Sequence, residues 1–199
     1  MNVVALFLKA PQIGAVKTRL AKSLGEEGAL QAYRQLVEFL LTRLGNAASI
    51  HVHYTPDFRQ IMEDWLGDEY QYSLQVGADL GARLIHALEE ELAFDADRLI
   101  FLGGDCPFVD QVRLDWAFRC LDQHDVVLGP AMDGGYYLIG MKEKIPALFQ
   151  NIPWGTETVL QTTLDTCAQL NLSVSLLPEE SDVDDLAGWE SARDFMANL

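Results

Sequence analysis

The sequence predicts an α/β fold on a mixed, mainly parallel sheet, and three observations carry that prediction. Short apolar, β-branched runs alternate with longer stretches of helical period along most of the chain. The strand comes first in each unit, as in layered folds with crossover helices. Two apolar runs, 125–130 and 134–141, are separated only by Ala131, Met132 and Asp133, too short for the crossover that a parallel pairing needs. A strand near 134–141 is therefore expected to run antiparallel.

Each element has its own justification. Residues 3–8 (VVALFL) form a buried-strand run, and after a basic loop the stretch 25–45 places Leu30, Tyr33, Leu36, Val37, Leu40 and Leu44 on one helical stripe. Residues 49–55 alternate as a strand, Pro56 suits the first turn of a helix reaching Leu66, and 70–76 alternate again. Leu80, Leu84, Leu88 and Leu92 recur every four residues in a helix over 79–94, followed by the strand run 98–104. A helix over 110–122 counts Val112, Leu114, Trp116 and Cys120 among its apolar positions. Pro146 and Pro153 break up 142–155, after which 156–170 read as a helix, 173–178 as a strand and 185–198 as a closing helix. No repeat, low-complexity stretch or linker interrupts this order, and 199 residues suit a single domain over 1–199.

Charge narrows the function. Thirty acidic against 14 basic residues give a net charge of −16, so the surface as a whole repels nucleic acid and anionic lipid. Within residues 1–25, however, Lys9, Lys17, Arg19 and Lys22 stand with no acidic residue. A basic loop in an acidic protein suits a small polyanion such as a nucleotide, or else is a solvated surface loop. No apolar run approaches the ~18 residues of a membrane span, and Cys106, Cys120 and Cys167 show no C-x-x-C spacing. Reduced thiols in a cytoplasmic protein are expected.

In open α/β sheets ligands bind beyond the carboxyl ends of the strands, and four such loops carry distinctive chemistry. The first, 9–21 (KAPQIGAVKTRLA), offers cations and backbone donors for phosphates; Lys17-Thr18 imitates the end of a P-loop, but Val16 stands where glycine is required. No G-x-G-x-x-G occurs either. The second, GGDCP (103–107), sets Asp105 after an apolar strand, where a carboxylate suits Mg²⁺ or Mn²⁺ or simply caps a turn. In the third, 129–140, Gly134 and Gly135 let backbone approach a substrate and Asp133 could receive a hydroxyl proton, or the segment is an ordinary Asp-Gly turn. The fourth, 181–190, brings Asp182, Asp184 and Asp185 to the last helix, as caps or as a second metal carboxylate. None of His51, His53, His86 and His124 makes a metal-ligand spacing, so structural roles are expected for them.

Taken together, KAPQIGAVKTRLA, QVGADLGARL, GGDCP, DGGYYLIG, IPWGTETV and DVDDLAGWE resemble a bacterial glycosyltransferase family associated with radical-SAM and arsenosugar or seleno-domain genes. That family is similar to phospholactate and molybdenum-cofactor guanylyltransferases. The resemblance implies a three-layer α/β/α sandwich of the nucleotide-diphospho-sugar transferase (GT-A) fold, binding a nucleotide through a divalent metal. It also implies that Lys9, Gly14, Lys17 and Arg19 form the phosphate loop and that Asp79, Gly81 and Arg83 lie near the base or ribose. Asp105 would be the first metal aspartate and Asp184, or Asp182, the second; Trp154, Gly155 and Thr156 would lie on the acceptor side.

The reaction expected first is transfer of a sugar from a nucleoside diphosphate sugar to a small acceptor. Asp105 and Asp184 would hold Mg²⁺ or Mn²⁺, Lys17 and Arg19 would stabilise the leaving diphosphate, Gly134 would approach the ligand and Asp133 would serve the acceptor. The same pocket could instead join a nucleoside triphosphate to a sugar phosphate or phosphorylated acid, releasing pyrophosphate. A nucleotide-binding regulator without turnover is the third expectation.

Overall fold

The computed structural model describes residues 1–46, 48–94 and 96–199. Seven strands form one sheet: β1 (Asn2–Lys9), β2 (Ser49–Thr55), β3 (Gln71–Leu74), β4 (Arg98–Gly103), β5 (Val126–Pro130), β6 (Tyr136–Met141) and β7 (Val174–Leu176). Their spatial order is β3-β2-β1-β4-β6-β5-β7. All neighbours are parallel except β6, which runs antiparallel to both β4 and β5. The connection between β5 and β6, residues 131–135, is too short for a crossover and forces that reversal.

Among the described residues six α-helices cover the sheet: α1 (Thr18–Leu44), α2 (Arg59–Leu66), α3 (Leu80–Ala93), α4 (Gln111–Cys120), α5 (Val159–Gln169) and α6 (Leu186–Ala197). Alternation along β1 shows how the layers are built. Val4, Leu6 and Leu8 face Tyr33, Val37 and Leu40 of α1, with Met62 of α2 and Leu114 and Phe118 of α4 in the same core. Val3 and Ala5 face the other way, into a core with Leu84 and Leu88 of α3 and Cys167 of α5. The result is a three-layer α/β/α fold, with α6 packed outside α1 through Trp189, Ala192, Leu20 and Leu36.

Several sequence expectations need correction. α1 begins at Thr18, and Gly25 (φ 74°, ψ 166°) breaks it just where the long amphipathic stretch begins. Pro56 does not start α2: it sits in a turn in which the Phe58 amide donates to the Pro56 carbonyl at 2.8 Å, and the helix begins at Arg59. Leu80 is 41% exposed, because α3's first turn overhangs the ends of the strands rather than the core. Val112 and Trp116 are 71% and 42% exposed, since Leu114, Ala117 and Phe118 form the inward face of α4 and two residues along a helix reach the opposite side.

Candidate active site

Because β4, β1, β2 and β3 are parallel neighbours, their carboxyl ends lie in a row carrying, in order, Asp105, the 9–19 loop, Thr55 and Gln75. Along this row runs a cleft of about 590 Å³, lined also by Lys9, Lys17, Arg19, Tyr33, Arg83 and Asp184. Three inter-strand steps of about 4.8 Å make it ~14 Å long. The Tyr33 hydroxyl fixes its wall, accepting from the Lys9 amide and donating to the Lys9 carbonyl, both at 2.9 Å. Gln75 fixes its far end by donating from Nε2 to the carbonyls of Leu8 (3.2 Å) and His53 (2.8 Å).

At the near end Lys17 stands between two carboxylates. Its Nζ donates to Asp105 Oδ2 at 2.9 Å and Asp184 Oδ1 at 3.2 Å, and Arg19 Nη1 reaches Asp184 Oδ2 at 3.3 Å. The Lys17 side chain is only 5% exposed, against 40% and 46% for its acidic partners. Burial alone would lower the Lys17 pKa, but Asp105 and then Asp184 outweigh it and raise it above the ordinary lysine value. Burial likewise pushes Asp105 up, and Lys17 more than reverses this, so the carboxylate is favoured. Lys17 adopts left-handed backbone angles (φ 47°, ψ 47°), a conformation that costs a non-glycine residue ~1–3 kcal/mol and concentrates at functional sites.

Backbone pairing explains why an aspartate near the end of the chain arrives here. The Met132 amide donates to the Glu180 carbonyl at 3.0 Å, the Glu180 amide to the Pro130 carbonyl at 3.1 Å, and the Val183 amide to the Asp105 carbonyl at 3.4 Å. The segment after β7 is thereby led along the end of β5 to the loop after β4. It also brings in Asp182, whose pKa rises to about 7 through burial and then through the neighbouring charges of Asp105, Asp133 and Asp184. Sequence reasoning treated Asp182 as a helix cap or a metal-ligand alternative and missed this crowding.

A second, smaller arm of about 200 Å³ opens on the far side of Gly103, sharing Phe7, Leu80 and Gly103 with the cleft. Its walls are Leu84, Phe101, Tyr136, Ile139, Trp154 and Val159, and Asp133, Gly135 and Thr156 also contribute. Trp154 and Tyr136 meet edge to face, with ring centroids 6.2 Å apart. Phe7 carried no functional signal in the sequence beyond its position near a strand end, and Gln75 and Leu80 lie in the QVGADLGARL segment without a role of their own being read for them.

The candidate residues thus fall into groups. Lys9, Lys17, Arg19, Arg83, Asp105 and Asp184 line the cleft, whereas Asp133 lines the arm. Asp79 caps α3, accepting from the Ala82 amide at 2.8 Å, and Arg83 Nε donates to the Gly77 carbonyl at 3.2 Å. Gly81 packs against the Phe149 carbonyl and Trp154. Gly14 is at φ 76° beside the Glu26 carboxylate, and Gly134 at φ 86° is pressed against the Glu157 backbone; neither lines the cleft or the arm.

The donor chemistry fits a hard divalent cation. Two carboxylate oxygens converge on a single point, occupied here by the Lys17 ammonium, and Mg²⁺ characteristically takes one or two protein carboxylates with substrate phosphates and water. No group of three or more His, Cys, Asp or Glu side chains arranged to hold a metal occurs among the described residues. A buried cluster elsewhere joins His51 Nδ1 and His53 Nε2 to the two oxygens of Glu91 at 2.6 and 2.7 Å.

Comparisons with known proteins give a consistent picture. Residues 41–156 match the family described as "Uncharacterized protein conserved in bacteria (DUF2064)". A protein from Desulfovibrio desulfuricans G20, named as a candidate nucleotide-diphospho-sugar transferase, is 36% identical over 93% of this chain and 84% of its own, with a TM-score of 0.88. The 4-diphosphocytidyl-2C-methyl-D-erythritol synthase of Anaerococcus prevotii shares the fold at 11% identity and TM-score 0.66, covering 98% of this chain and 99% of its own. A Mycobacterium tuberculosis protein in complex with manganese does so at 12% identity and TM-score 0.57, with both chains covered fully. No curated protein matches the chain.

Proposed function

We propose, for a chain that belongs to the DUF2064 family of bacterial proteins, that it is a metal-dependent glycosyltransferase moving a sugar from a nucleoside diphosphate sugar to the hydroxyl of a small acceptor. The name of the Desulfovibrio relative supports a nucleotide-sugar donor, and the manganese complex of a protein with the same fold supports the metal. The observation that carries the reading is the division of charge. Lys9, Lys17, Arg19 and Arg83 line the cleft beside Asp105 and Asp184, and among the described residues no Lys or Arg lines the arm, where the charged group is Asp133. A donor diphosphate matches the cleft. A phosphorylated nucleophile, which nucleotidyl transfer needs, would carry its charge into the arm against a carboxylate with no cation to offset it.

In this reading Asp105 and Asp184 hold Mg²⁺ or Mn²⁺ beside the diphosphate. When bound there, the ion supplies positive charge opposite the leaving group. Lys17 and Arg19 would present their cations to the phosphate oxygens as negative charge grows on them. Asp133 orients the acceptor hydroxyl and takes its proton. The acceptor oxygen bonds to the anomeric carbon as the bond from that carbon to the diphosphate oxygen breaks, and nucleoside diphosphate leaves. The unbroken seven-stranded sheet fits one domain, and the free thiols fit a reducing, cytoplasmic setting.

A panel of nucleotide sugars with Mn²⁺ or Mg²⁺, read by product analysis, tests the proposal. Nucleoside diphosphate is expected. Pyrophosphate from a nucleoside triphosphate and a sugar phosphate would establish nucleotidyl transfer instead, and saturable nucleotide binding with no product would establish a regulator. Lys17→Ala should weaken nucleotide binding at least tenfold by calorimetry.

A further inference from the structure

The arm beyond Gly103 is walled by carbon. Leu84, Phe101, Ile139 and Val159 close it, and the ring faces of Trp154 and Tyr136 stand at 78° to one another. Burial raises the pKa of the Tyr136 phenol, so this wall stays neutral across the working pH range. Asp133 and Thr156 are joined by the polar tips of Tyr136, Tyr137 and Trp154, and the Tyr137 hydroxyl is already engaged, accepting from Arg113 Nη1 at 3.3 Å and donating to the Pro178 carbonyl at 3.1 Å. Asp133 is preset: its Oδ1 accepts from the Gly135 amide at 2.8 Å, and its other oxygen makes no hydrogen bond among the described residues.

The geometry points to an acceptor with a ring-sized apolar body, an aryl or branched-alkyl alcohol, seated in this arm with its hydroxyl at Asp133. An apolar cavity of about 150 Å³ is known to hold benzene, so 200 Å³ accommodates one ring and a substituent. A sugar of the same size would bring several hydroxyls against walls that are mostly carbon and offer few partners, a loss of hydration only partly compensated. A sugar phosphate would add a charge to an arm lined by no Lys or Arg among the described residues. Continuity with the cleft through Phe7, Leu80 and Gly103 places the bound hydroxyl next to the diphosphate end. That the bound alcohol is an acceptor rests on the glycosyltransferase reading above; that the arm takes an apolar ring does not.

Two titrations separate these points. Benzyl alcohol, cyclohexylmethanol, glycerol, methyl glucoside and glucose 1-phosphate are titrated into the full chain, with intrinsic fluorescence of the wild type and of Trp154→Phe as the readout. Separately, a nucleoside diphosphate with Mn²⁺ is titrated by calorimetry. The two ring alcohols are expected to saturate at concentrations at least tenfold below glycerol and methyl glucoside, with a signal that is lost in Trp154→Phe. Val159→Phe, which fills the arm, should weaken benzyl alcohol at least tenfold. Should that variant misfold, the ligand series on the wild type decides alone. Equal or tighter binding of methyl glucoside, or of glucose 1-phosphate with a signal that is lost in Trp154→Phe, overturns the proposal, as does ring-alcohol binding that leaves the Trp154 signal untouched. Ring-alcohol selectivity without nucleoside diphosphate binding would support the arm assignment and overturn the transferase reading.

Discussion

Glu91 lies fully buried beneath the sheet and keeps its charge because two imidazoles share it. Burial alone would raise its pKa, but the hydrogen bonds from His51 and His53 reverse this and bring it down to about 2, from an ordinary 4.5. A carboxylate held below its unfolded value stabilises the fold fully above that value, and its contribution is lost as pH falls towards and through the folded pKa. Acid unfolding between about pH 4.5 and 2 should therefore show this linkage. Glu91→Leu should cost about 3 kcal/mol at pH 7 by urea unfolding, since it strands two buried imidazoles, and its deficit relative to wild type should shrink through that acid window. The sequence showed His51 and His53 on one strand face and excluded a metal spacing. It could not show Glu91, which comes from a helix 38 residues beyond His53. His53 also stacks on Phe7, a residue common to cleft and arm, at 5.4 Å between ring centroids. The cluster thus braces the floor under both.

The hairpin of β5 and β6 and the entrance to α5 act as one element. The Leu160 amide donates to the Gly134 carbonyl at 2.9 Å, and a Cβ on Gly134 would collide with the Glu157 carbonyl. Gly134→Ala therefore adds overlap to a left-handed strain and should cost about 3 kcal/mol. For a domain of this size that is a fall of about 6–12 °C in Tm, measurable by calorimetry. The reversal of β6 was legible because three residues cannot cross over a sheet. The glycines were legible as a turn, but their packing against α5 was not, because nothing local couples residue 134 to residue 157. Pro56 and Leu80 misled for the same reason: the first-turn preference of proline and a four-residue leucine spacing are local signals. Where the chain turns into a helix, and what overhangs a strand end, depend on the rest of the fold.

On the scale of the whole molecule, the acidic surface and the basic first loop meet at one place. Charge asymmetry pointed to an anion near Lys17, and the strand-end rule pointed to Asp105. That Asp184, 167 residues after Lys17, joins the same ion-pair cluster follows only from the pairing of the segment after β7 with the ends of β5 and β4. A ligand that binds the folded state alone at a hundred times its Kd adds about 2.7 kcal/mol of stability. A nucleoside diphosphate with Mn²⁺ should accordingly raise Tm by about 5–10 °C. Asp105→Asn should show a much smaller rise in the same thermal scan, and an undiminished shift would remove Asp105 from the metal site. The antiparallel insertion of β6 between β4 and β5 has one further consequence. In the glycosyltransferase reading proposed above, the half that would handle the anion is built from parallel strand tips, and the half that would meet the recipient from one hairpin and one helix entrance. On that reading, wall residues such as Trp154 and Thr156 are the ones whose exchange would redirect the product, because they lie apart from the strand tips that carry Lys17 and Asp105.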